Sequence, residues 1–169
     1  MTRFDRPKPP AKRGSSVPWL AAMALLSLGA LAAALVSQHV YDMQPCPWCV
    51  LQRGIFVVIA LACVLGLLWR SAAGRVTSAS LIFLLAASGV AAAAWQHFVA
   101  AKSASCNLTL ADKIVSALKL DTALPSVFSA TASCADAAVN LLGVPYAFWA
   151  MAVFAALAAV AVRQLFVRA

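Results

Sequence analysis

The sequence predicts an all-α membrane protein, a four-transmembrane-helix bundle, and three observations carry that reading. Of 169 residues, 64% are hydrophobic and 11% charged, and the mean hydropathy is +0.90, far outside the balance of a soluble domain. The apolar residues fall into four runs, each close to the length that crosses a bilayer. The basic residues give a formal net charge of +8 and gather in short segments beside those runs, as the positive-inside rule expects. That placement excludes the nucleic-acid binder that the charge alone would allow.

Residues 1–16 carry Arg3, Arg6, Lys8, Lys12 and Arg13 among three prolines, a composition that buries no core and predicts a mobile cytoplasmic tail. The remainder, 17–169, reads as one transmembrane domain. Its first span, 17–40, covers roughly 36 Å as a helix, against about 30 Å of bilayer core. It is long for a cleaved signal peptide, so a retained helix is expected. A short loop, 41–48, leads to a second span at 49–69. Arg70, Gly74 and Arg75 then predict a brief hairpin turn before a third span at 76–100. The small-residue stretch Ala86 to Ala94 in that span suits close helix approach.

The segment 101–144 is the one long polar stretch, and loops of this length are usually functional. Within it Leu110, Ala111, Ile114, Val115, Ala117 and Leu118 recur at helical spacing. They predict a short amphipathic helix that lies along the membrane surface or packs on the bundle top. Ser133 to Leu142 is expected to add a helical turn or two before Gly143 and Pro145 end it. A fourth span, 145–162, closes the domain. Nine of the 13 basic residues lie in the tail, the hairpin and the C-terminal end. Both termini are therefore expected inside, with both cysteine-bearing loops outside.

Four of the five cysteines lie outside the apolar interior. The stretch Gln44-Pro45-Cys46-Pro47-Trp48-Cys49-Val50-Leu51-Gln52-Arg53 places two thiols at the mouth of the second span. The Pro47 between them discourages helix until the second cysteine is reached, leaving Cys49 in the first turn. There unpaired amides and the helix dipole favour a thiolate, and Arg53 stands one turn further on the same face. Cys106 and Cys134 form a second outer pair in the long loop. Four cysteines allow three connectivities, and spacing does not choose among them. Cys63, roughly 21 Å along the helix from Cys49, is a packing residue. His97 and His39 stand at span ends, where a histidine can cap a bundle. Trp19, Trp69, Trp95 and Trp149 read as interfacial belt aromatics, while Trp48, set between the thiols, either shapes a ligand mouth or packs.

The string Gln38-His39-Val40, the Cys46 to Arg53 motif and the second pair inside four spans resemble the disulfide bond formation protein B (DsbB) family of quinone-linked thiol oxidases. The resemblance covers nearly the whole chain beyond the tail. It implies a relay in a bacterial inner membrane. A DsbA-like thioredoxin-fold partner is reoxidised at the Cys106–Cys134 disulfide, with Cys106 forming the mixed disulfide and Cys134 exchanging with Cys46. Cys49 then faces a membrane quinone, ubiquinone or menaquinone, beside Arg53 and His97. No metal is expected. Pro47 and Trp48 occupy positions that vary in the family and bear on the redox potential of the pair. A vitamin K epoxide reductase-like enzyme has similar parts, but its quinone-proximal cysteine pair falls late in the chain, whereas here it opens the second span. A soft-metal site built from Cys46, Cys49 and a histidine is the non-enzymatic alternative.

Overall fold

The computed structural model describes residues 17–69, 71–102 and 109–168; the basic segment 1–16, Arg70 and Cys106 lie outside the described residues. Four helices are long and apolar enough to cross a membrane: α1 (Val17–Tyr41), α2 (Pro47–Leu68), α3 (Ala72–Phe98) and α7 (Tyr146–Arg168). Among the described residues between α3 and α7, a 3-10 turn (Ala100–Lys102) is followed by three short α-helices: α4 (Leu110–Ala117), α5 (Leu120–Ala123) and α6 (Pro125–Phe128). A two-stranded antiparallel hairpin follows them, β1 (Asn140–Leu141) with β2 (Val144–Pro145).

Large apolar side chains point outward, Leu25, Leu68 and Phe166 being more than two-thirds exposed, as a bilayer solvent permits. Inside, where lipid offers no hydrophobic drive, close packing must hold the helices together. At mid-bundle Phe56 and Phe154 stack at 4.1 Å with planes 4° apart. Gly89 admits that pair, because a Cβ there would lie 2.5 Å from the Phe154 ring. With Ala86, Ala92 and Ala93 also buried, the expected small-residue stretch is the face on which α3 meets α7. By contrast α1 and α7 touch lightly, tied at one end by Ser37 Oγ to Tyr146 OH at 3.3 Å and at the other by Arg163 over Trp19 at 5.2 Å.

Three local expectations are corrected. Helix α2 starts at Pro47 rather than Cys49, because proline has no N–H to lose at the first helical position and its φ suits a helix start. Gly74 is not in a turn but in the first turn of α3. Ser71 caps that helix by accepting from the Gly74 N–H at 3.0 Å, and the missing Cβ lets the Trp69 ring approach. Finally, 133–142 does not end in a helix. Leu142 and Gly143 take positive φ of 55° and 80°, the backbone twist that closes a two-residue hairpin, and the chain reverses into α7.

The amphipathic helix forms as α4, with Thr109 and Asp112 capping each other's amides in a capping box. It packs on the start of α2: Val115 joins Val50 and Phe128 in one buried cluster. Its edges, Leu110 and Leu118, remain 64% exposed.

Candidate active site

Between α1 and α2 the chain turns at Asp42, whose φ of 52° is one a short polar residue tolerates. It then runs straight into the cysteine pair. Cys46 is the N-cap of α2, in extended conformation, and its sulfur accepts the Cys49 N–H at 3.3 Å. A sulfur thus takes the place usually held by a serine or aspartate oxygen. The capping geometry brings the two sulfurs to 2.9 Å. Both thiols are free, and so is that of Cys63. Cys46 is fully buried, and its hydrogen bond with Cys49, reinforced by burial, holds its thiol well above the usual range. Cys46 therefore keeps the proton of the pair.

Two buried polar side chains, Gln96 and Arg53, stand beside this pair. Gln96, on α3, donates its Nε2 to the Cys49 sulfur at 3.1 Å. Its own Oε1 accepts from Gln52 Nε2 at 2.6 Å, and both glutamines are at most 5% exposed. Arg53 is 4% exposed and spends its guanidinium on three acceptors from two other helices, α1 and α6. Nη1 donates to Gln38 Oε1 at 2.5 Å and to the Val127 carbonyl at 2.8 Å, and Nη2 to the Ala34 carbonyl at 3.2 Å. The guanidinium cross-links α1, α2 and α6. Cys49 and Arg53 share the wall of a cavity of about 20 Å³ with Ala34, Ser37 and Tyr146, room for about one water. The cavity lies where α1 meets α7.

The second thiol segment docks on the first through main-chain atoms. Thr131 and Ala132 both donate their N–H groups to the Pro45 carbonyl, at 3.0 and 3.2 Å. Thr131 Oγ1 adds a bond to Gln44 Oε1 at 2.7 Å. Cys134, 1% exposed, thereby joins Cys46 and Trp48 in one buried cluster. Cys134 is disulfide-bonded.

Of the residues singled out from the sequence, Cys46, Cys49, Arg53 and Cys134 converge at one end of the bundle, and Cys106 lies outside the described residues. His97 does not line the cavity. Its ring sits between Phe98 and Phe148, with centroids 4.9 and 4.7 Å away. Trp48 packs, 8% exposed, whereas Trp19, Trp69, Trp95 and Trp149 are at least 39% exposed. Gln38, Gln52 and Gln96 had no assigned role. Their signal was the rarity of amide side chains in apolar spans, where a buried polar group must find a partner.

Fold and site together define a multi-pass membrane protein with a buried dithiol at a helix N-terminus and a disulfide packed beside it. The family model for disulfide bond formation protein DsbB matches residues 16–164, and the chain belongs to that family. It is 35% identical over 140 residues to disulfide bond formation protein B of Burkholderia pseudomallei (strain 1106a), covering 82% of this chain and 83% of that protein. A second relative, from Herminiimonas arsenicoxydans, is 32% identical over 145 residues, 85% of this chain and 91% of its own length. Disulfide bond formation protein B 1 of Pseudomonas savastanoi pv. phaseolicola is 32% identical over 137 residues, covering 80% and 81%. The chain is therefore a DsbB-family membrane oxidoreductase of disulfide bond formation.

Proposed function

We propose that the protein is a thiol:quinone oxidoreductase that reoxidises a periplasmic, DsbA-like thioredoxin-fold partner from the bacterial inner membrane, with its thiol end outside. The observation that carries this reading is the gathering of buried Cys46, half-buried Cys49 and buried, disulfide-bonded Cys134 in one cluster, where successive sulfurs stand close enough for exchange. The relay runs by thiolate attack on a disulfide sulfur. A partner thiolate attacks Cys106, breaking a Cys106–Cys134 bond and releasing Cys134 as thiolate; the partner's second thiol then displaces Cys106 and leaves the partner oxidised. Cys134 attacks Cys46 of a Cys46–Cys49 disulfide and releases Cys49. Attack of Cys106 on Cys134 restores the loop disulfide and leaves Cys46 and Cys49 as a dithiol. Re-forming the Cys46–Cys49 bond gives up two electrons and two protons.

A bound membrane quinone supplies the acceptor for those electrons and protons. The donor set beside Cys49 suits it: a buried guanidinium, a partly exposed sulfur, and a small cavity where α1 meets α7 that both residues line. The enclosed space holds about one water. Arg53 and Cys49 are the residues that would hold the quinone, with His97 on α3 the third candidate. The basic residues at the opposite end support the orientation.

Anaerobic mixing of the reduced partner and a soluble quinone with the purified protein tests the reading. Stoichiometric quinone reduction with partner oxidation is expected. Cys106→Ser should retain quinone reduction by a small dithiol while losing partner oxidation. Partner oxidation without any quinone reduction would sink the proposal.

A further inference from the structure

We propose that Gln96 is a catalytic residue: locked by Gln52, it points an N–H at the Cys49 sulfur and stabilises the anion that hands electrons on. The inference rests on the relay above, in which Cys49 is the last sulfur. Arg53 is the cation that sequence position offers to this thiolate, yet its bonds to Gln38, Ala34 and Val127 aim it toward α1 and α6. Besides the Cys46 thiol at 2.9 Å, the side-chain donor in contact with the sulfur is an amide from α3, at 3.1 Å. An amide can turn either its oxygen or its nitrogen toward a neighbour. Here Gln52 settles the choice, because its N–H occupies the Gln96 oxygen at 2.6 Å and leaves nitrogen for sulfur. Gln52 is thus a positioning residue that acts through Gln96.

The chemistry favours a neutral donor at this place. A hydrogen bond to an ionised group is roughly twice as strong as one between neutral groups, so it holds the thiolate more strongly than the thiol. An amide does so without adding a second buried cation, which would itself need a counter-charge. The titratable and charged groups around the sulfur are few: Cys46 and Arg53 beside α2, Tyr146 at the start of α7 on the same cavity wall, and His97 one residue beyond Gln96, against Phe98 and Phe148. In the loop before Cys46, Asp42 accepts from Gln44 Nε2 at 2.5 Å. α1 presents the uncharged Ala34 and Ser37 to the cavity.

The test is the pH profile of Cys49 alkylation, read by mass spectrometry on reduced, quinone-free full-length protein. Gln96→Met removes the donor at similar length and should raise the midpoint by about one pH unit, a roughly tenfold loss of thiolate at pH values well below the midpoint. Gln52→Leu should raise it by less, since Gln96 remains but turns freely. The double variant Gln52→Leu/Gln96→Met leaves no amide orphaned and should match Gln96→Met, so a folding defect of the single variant does not decide the outcome. A mutant changed only in its packing would slow alkylation without moving the midpoint. Unmoved midpoints in both Gln96→Met and the double variant would overturn the inference. The relay itself is judged separately, by quinone reduction in the unmodified protein.

Discussion

Helix α2 buries cysteines in two opposite ways. Cys46, at its cap, and Cys49, in its first turn, sit among Gln96, Gln52 and Arg53, each of which has a hydrogen-bonding partner. Fourteen residues on from Cys49, Cys63 is as inaccessible as Cys46 but lies in the apolar cluster of Ile59, Ile82, Phe154 and Leu157. Burial alone therefore does not mark a reactive thiol. What separates the two regions is whether neighbouring segments supply hydrogen-bonding partners, and α1, α3 and the long loop all converge on the capped end.

The largest test of that contrast is removal of each sulfur. Cys49→Ser should abolish quinone reduction by the reduced partner, whereas Cys63→Ala should leave its rate within about twofold and cost about 1 kcal/mol of stability. Equal losses of turnover would erase the distinction. Next, Arg53→Met leaves Gln38 and two carbonyls without their donor in a dry setting. Bonds to a charged donor are worth roughly 1.5–3 kcal/mol each, with partial compensation. A fall of about 3 kcal/mol in unfolding free energy, measured in mixed detergent, is expected, together with a higher apparent KM for quinone and little change in partner affinity. An unaltered KM would assign Arg53 to architecture alone.

Within the apolar half, Gly89→Ala drives a methyl into the Phe154 ring and should cost about 1–3 kcal/mol, while the Cys49 alkylation profile stays in place. A shifted profile would show that the two regions are coupled. The smallest perturbation compares cysteines in the unmodified, reduced protein. Because Cys46 holds the shared proton, it should alkylate at least about tenfold more slowly than Cys49 at neutral pH; equal rates would dissolve the pair's asymmetry.

Hydropathy made the four helices legible, and proline with the paired cysteines made the thiol end legible, because bilayer length and cap chemistry leave strong local marks. Elsewhere the decisive contacts are tertiary. Gln96 stands just after a run of alanines, and no periodicity shows that its amide meets a sulfur 47 positions earlier. Arg53 was read from its i+4 spacing as a companion of Cys49, yet spacing along one helix does not reveal that α1 and the loop supply its acceptors. The Leu142–Gly143 turn escaped for a different reason: leucine does not advertise positive φ, and only the Trp149 N–H to the Leu141 carbonyl shows the hairpin folded against α7.

The docking of the Cys134 segment has a consequence for how this loop can change over time. Two main-chain amides fasten it to a single proline carbonyl, and main-chain amides are indifferent to the side chains above them, proline excepted. The main-chain fastening would thus survive a change of side chain at 131, which gives up only the hydroxyl bond to Gln44, while the sulfur a few positions on keeps its address beside Cys46.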